Sequence, residues 1–135
     1  MLTTKQQATL RAVIDSVIPP DEYPGGWEAG VGDFILNLLE HDARELQPSY
    51  AAWLDGVEAE ALVRTGRSFS ELDASQQTAL LQAIEANDLR ADWSTDPAFF
   101  AQVTEHCAEG FYSDPGNLGN RDQVAWQMIR FEVNI

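Results

Sequence analysis

The 135-residue chain has little with which to do chemistry or to brace itself covalently. Cys107 is its one cysteine, so no disulfide forms within it and the fold must stand on packing. Basic residues are scarce too, with 8 Lys and Arg against 22 Asp and Glu, a formal net charge of −14. So acidic a chain repels phosphate backbones and anionic lipid surfaces, which argues against nucleic acid as a partner and in favour of basic proteins. No run approaches ~18 consecutive apolar residues, so direct membrane insertion is not expected. The opening residues Met1-Leu2-Thr3-Thr4-Lys5 form neither a charged-then-apolar signal nor a twin arginine. As given, the chain reads as cytoplasmic; a periplasmic location requires a signal already removed or one carried by a partner.

Cofactor and metal motifs are missing as well. A di-iron bundle needs Glu-x-x-His units on two helices, and neither His41 nor His106 has a glutamate three residues before it. His106 and Glu109 stand three apart and Glu105 and Glu109 four apart, close enough to share helix faces. His41 lies between Glu40 and Asp42 with no further ligand nearby. Both histidines read as surface residues, and no metal is expected. There is no Cys-x-x-Cys-His for haem, no Gly-x-Gly-x-x-Gly for a dinucleotide and no phosphate-binding Gly-x-x-x-x-Gly-Lys, so no cofactor is expected in this chain. Cys107 directly follows His106, which on a helix sends the two side chains about 100° apart. A buried, inert thiol is the expected reading, and no catalytic residue is assigned.

What is present is apolar and helical. Hydrophobic residues make up 44% of the chain, enough for a core, and the length suits a single domain over residues 1–135. Leu10, Val13, Ile14, Val17 and Ile18 form one helical stripe, opened by a Thr3/Gln6 capping box and ended by Pro19-Pro20. Val31, Phe34, Ile35, Leu38 and Leu39 form a second, whose Gly30 and Gly32 are weak helix formers and point to a close backbone approach. Pro48 opens a third helix, with Trp53, Leu54, Val57, Ala61 and Leu62 facing the core and Gly66 as its stop. Phe69 and Leu72 tuck under the core, Asp73 and Gln76 cap a fourth helix with Leu80, Leu81 and Ile84, and Asn87-Asp88 ends it. Asp96-Pro97 starts a fifth, which buries Phe100, Val103 and Cys107 with Phe99 and Phe111 flanking. Asp122 is placed to cap a short last helix with Val124, Met128 and Ile129. No stretch alternates with period two between hairpin turns, so the expectation is all-α: five to six short helices and a long aromatic-rich C-terminal loop.

That loop, Gly110 to Trp126, sets large aromatics among Pro115, Gly116, Asn117 and Gly119. Its apolar side chains must fold back on the domain or be covered by another protein. Acid also concentrates nearby, with seven acidic residues from Glu85 to Asp114 against the single base Arg90. A solvated face is the ordinary meaning of such an excess.

Three stretches, in order, resemble the small subunit (subunit 3, or gamma) of the gluconate 2-dehydrogenase family. They are Ile18-Pro19-Pro20-Asp21 through Pro24-Gly25 to Glu28-Ala29-Gly30-Val31, then Phe69-Ser70-Glu71-Leu72-Asp73 with Gln76-Gln77, then Glu109 to Pro115 with Gly119-Asn120-Arg121-Asp122 and Trp126. The third is the most specific. The resemblance implies a largely helical, non-catalytic subunit paired with a large flavin-bearing oxidoreductase of the glucose-methanol-choline type. In such complexes the partner holds FAD and oxidises a hydroxyl of a sugar, sugar acid or polyol, and a cytochrome c subunit often takes the electrons. Similar subunits commonly carry a twin-arginine signal and escort their partner; this sequence as given departs from that, and Arg130 stands where a glycine is expected. Exposed aromatics beside an arginine are the usual makings of an interface. Tyr112, Arg121 and Trp126 are therefore the candidate partner contacts, with Phe111 beside them and Tyr23 and Trp27 from the first loop. Each has a structural alternative: Trp126 in the core, Arg121 paired with Asp114 or Asp122. The competing reading of the whole chain is a stand-alone helical binding module or homodimer.

Overall fold

In a computed structural model, residues 2–19 and 25–111 are described. They form five α-helices: α1 (Thr4–Val17), α2 (Val31–Glu40), α3 (Gln47–Thr65), α4 (Ala74–Glu85) and α5 (Pro97–Phe111). One-turn 3-10 helices at Arg44–Leu46 and Phe69–Glu71 precede α3 and α4, and no strand occurs among the described residues. None of their helices is long and apolar enough to cross a membrane. The expected last helix beginning at Asp122 lies outside the described residues.

The helix boundaries follow local chemistry. Thr3 and Gln6 form the anticipated capping box, with the Gln6 N–H donating to Thr3 Oγ1 at 3.1 Å and the Thr3 N–H to Gln6 Oε1 at 2.9 Å. Asp73 and Gln76 repeat the arrangement at the start of α4. Asp96 Oδ1 accepts from the Ala98 N–H at 3.0 Å at the entry to α5. Gly66, at φ 75°, closes α3 in the left-handed backbone that a side chain would strain. Gly32 answers the expectation of a close approach: a Cβ there would lie 2.3 Å from the Trp27 ring.

One core runs through all five helices, built from Leu10, Val13 and Ile14 of α1, Ile35 and Leu39 of α2, Leu54 and Val57 of α3, Leu81 and Ile84 of α4, and Val103 and Cys107 of α5. Phe69 and Leu72 sit beneath it, as expected. Two α3 assignments need revising. Tyr50, absent from the expected stripe, is fully buried, whereas Leu62 is 45% exposed. The reason is angular. Tyr50, Leu54, Val57 and Ala61 hold the inward side of α3, and Leu62 lies about 100° round the helix from Ala61.

Two carboxylates of α3 are buried, on opposite flanks of its inward side. Glu60 is 0% exposed and accepts from Arg64 Nε at 2.8 Å, the Arg90 N–H at 2.9 Å, the Ala91 N–H at 2.8 Å and Trp93 Nε1 at 2.9 Å. Burial alone would raise its pKa, but the Arg64 guanidinium and these N–H donors outweigh burial and hold it below the usual carboxylate value. The Trp93 ring lies flat against Gly56, where a Cβ would come within 2.1 Å of it. Glu58, 8% exposed, accepts from the Phe69 N–H at 2.8 Å and lies 3.6 Å from Lys5 Nζ. Thus α3 ties down both connectors that follow it, one through each carboxylate.

Glu60→Gln is expected to cost about 3 kcal/mol at neutral pH, because it leaves Arg64 without its buried counter-charge. A folded pKa below the unfolded value of 4.5 gives stability that is complete above 4.5 and is lost as pH falls through the folded value. Urea unfolding at neutral pH and near pH 3 should therefore show the gap between wild type and variant shrinking in acid. Gly56→Ala should cost about 2 kcal/mol by displacing Trp93, read by the same denaturation.

Candidate functional site

The inner faces of α3 and α5 carry the densest chemistry in the described residues. Tyr50 and Trp53, three apart on α3, meet Phe99 and Phe100 of α5. Tyr50 and Phe99 pack edge to face with ring centroids 5.3 Å apart, and Trp53 stacks on Phe100 at 5.6 Å. Such pairs contribute about 0.5–1.5 kcal/mol each beyond area burial. About two turns further along α5, His106 stacks on Tyr50 at 5.8 Å, and its Nδ1 lies 2.6 Å from the Tyr50 hydroxyl oxygen.

The direction of that hydrogen bond follows from the burial of both groups. Burial, with the Cys107 and Glu109 side chains beside it, pushes the Tyr50 hydroxyl far above its ordinary value, so it keeps its proton. Burial also lowers the pKa of His106, and the nearby carboxylates of Glu109 and Glu105 only partly oppose this. A protonated phenol facing a neutral imidazole donates to Nδ1, which assigns the imidazole proton to Nε2. His106 is 9% exposed, so the expectation of a surface histidine is corrected; His41 is exposed, as expected. Cys107 is buried, and burial pushes its thiol up to about 12, in line with an inert thiol. Trp53 Nε1 is buried without a hydrogen-bond partner among the described residues.

This arrangement packs and aligns two helices. His106 Nδ1 is already occupied, and the Cys107 thiol is held protonated. No group of three or more His, Cys, Asp or Glu able to hold a metal ion occurs among the described residues. Two shallow surface depressions contain neither His106 nor Cys107. One, of about 510 Å³, is lined by Leu2, Arg44, Glu45, Gln47, Pro48 and Ala51. The other, of about 430 Å³, lies along the first turns of α5 beside Phe99 and Glu105.

The candidate interface residues divide unevenly. Tyr112, Arg121, Trp126 and Tyr23 lie outside the described residues. Phe111 ends α5 at 1% exposed, so it fills the core and presents no surface to a partner, contrary to its assignment as a contact. Its place is set by the α5 stripe, since it falls four residues after Cys107. Trp27 is half-buried in the corner between α1 and α2. Its backbone N–H donates to Asp15 Oδ1 at 3.1 Å, and the Arg11 guanidinium stands 5.5 Å from the ring centre. The Tyr50–His106 pair and the buried Glu60 were missed in sequence. Both left traces: Tyr50 falls three before Trp53 and seven before Val57, and Glu60 stands four before Arg64.

Comparison with known proteins gives one finding. The profile of the family described as gluconate 2-dehydrogenase subunit 3 matches residues 4–132. No curated protein and no solved structure gives a significant match.

Tyr50→Phe should cost about 1 kcal/mol by leaving His106 Nδ1 without its donor. Because the folded pKa of His106 lies below its ordinary 6.5, its contribution is complete above 6.5 and declines as pH falls below that value. Thermal unfolding from neutral pH down to about pH 5.5 should show this decline in the wild type. The Tyr50→Phe/His106→Leu double variant should be flatter over the same range.

Proposed function

Since the chain belongs to the gluconate 2-dehydrogenase subunit 3 family, we propose that it is the non-catalytic small subunit of a flavin dehydrogenase, stabilising or maturing the partner that holds FAD. The observation that carries this reading is the family match over residues 4–132, nearly the whole chain. The partner, of the glucose-methanol-choline type, oxidises a hydroxyl of a sugar, sugar acid or polyol. The geometry accords with a supporting role: the buried ionisable side chains of α3 are engaged within the chain. Tyr50 is engaged with His106, Glu60 with Arg64 and Trp93, and Glu58 with Phe69.

In this reading Tyr112, Arg121 and Trp126, with Tyr23 and Trp27 from the first loop, contribute contacts to the flavoprotein. The charge of −14 favours a basic electron acceptor such as a cytochrome c, drawn to the assembled complex rather than bound tightly to this chain.

Co-expression with the cognate flavoprotein, purified through a tag on this chain, tests the proposal. The expected outcome is joint recovery, with flavoprotein yield, FAD content and sugar-oxidising activity all falling when this chain is omitted. Equal yield, FAD content and activity without it would defeat the proposal. A monodisperse chain that never retains the flavoprotein would point instead to a stand-alone binding module.

A further inference from the structure

The outward side of α3 differs from that of every other helix. Ala52, Asp55, Ala59, Leu62 and Val63 recur at three-, four- and seven-residue steps and share one side of the helix. Leu62 is 45% and Val63 57% exposed, and they are the exposed large hydrophobic side chains among the described residues. Elsewhere the outward positions are polar residues or alanine, with no large aliphatic side chain: Asp33, Asn37 and Glu40 on α2, Gln76, Thr78, Ala79 and Gln82 on α4, Ala101, Glu105, Ala108 and Glu109 on α5. The single charge on the α3 side, Asp55, accepts from Gln6 Nε2 at 3.1 Å. In a chain with 22% charged residues, a 19-residue helix whose free side is this apolar departs from the ordinary solvated pattern.

One edge of that side is braced by packing and hydrogen bonds. Trp93 packs on Gly56, and the Glu60 carboxylate binds Arg64 and the connector after α4. A surface fixed before it meets a partner loses less entropy on binding. Charge narrows the choice of occupant. A second copy would bring another −14 against this one, and anionic lipid or nucleic acid is repelled in the same way. An apolar protein surface of weaker negative charge fits.

We propose that the outward side of α3, centred on Leu62 and Val63, is a docking surface for the catalytic subunit of the dehydrogenase. This rests on the small-subunit reading above. It supplies the apolar centre of an interface, since a stable contact takes about 800 Å² per partner and five helical positions provide only part of that.

The test is a Leu62→Glu/Val63→Glu variant co-expressed with the cognate flavoprotein, beside wild type and a Thr78→Glu/Gln82→Glu control on α4. Wild type and control should retain the flavoprotein, and the α3 variant should retain about tenfold less or worse. As isolated chains, all three should show the same helical circular dichroism and melting temperature. A Leu62→Ser/Val63→Ser variant, which adds no charge, should weaken retention in the same direction. Undiminished retention by the α3 variants overturns the docking surface while the small-subunit reading stands. Failure of wild type itself to retain the flavoprotein sinks that reading, and the surface with it. A large drop in melting temperature confined to the isolated α3 variants overturns the proposal by showing that residues 112–135 or another part of the chain cover this side. Loss of a wild-type homodimer in the variants overturns it in favour of a second copy.

Discussion

A fully buried carboxylate is the constraint on which the rest of the fold turns. Glu60 lies on the inward half of α3, where an unpaired charge would be costly to desolvate, and it is tolerated because four donors converge on it. Two of those donors are backbone N–H groups of the connector between α4 and α5. Satisfying Glu60 therefore also fixes the path of the chain from one helix to the next. Arg64 extends the clasp, with Nη2 donating to the Asp88 carbonyl at 2.5 Å. Glu58 does the same for the preceding connector, and the Gln77 side chain holds the carbonyl of the same Phe69. The helices are thus placed by apolar packing and locked by polar groups whose partners lie far along the chain.

How much of this could be read in advance depended on the range of the interaction. Features decided within a few residues were legible: both capping boxes, the stop at Gly66, the start at Asp96-Pro97 and the inward stripes of α1, α4 and α5. Even the close approach implied by Gly32 was visible as a residue too weak for its place. Features decided between elements were not. Leu62 looks like core by composition, and only the orientation of α3 between its neighbours sends it outward. His106 looks like a surface histidine until Tyr50, 56 residues earlier, is brought to its Nδ1. Glu58 and Glu60 do not stand out because their backbone donors carry no mark in the sequence.

The candidate site follows the same division. The family could be recognised because its motifs are local strings, and the match to residues 4–132 agrees with them. Phe111 shows the limit of inferring contacts from composition: an aromatic at the edge of a breaker-rich loop can belong wholly to the helix before it. What distinguishes a binding surface from a core stripe is the angle at which each side chain leaves its helix. That angle belongs to the assembled bundle.

The direction in which the two clasps close has a bearing on synthesis. Glu58 and Glu60 take their backbone partners from positions 69, 90 and 91, all of which leave the ribosome after α3 does. Until those residues arrive, Glu58 and Glu60, on the two flanks of the inward side of α3, lack these backbone donors. The two clasps therefore close only once the connectors after α3 and after α4 have been made.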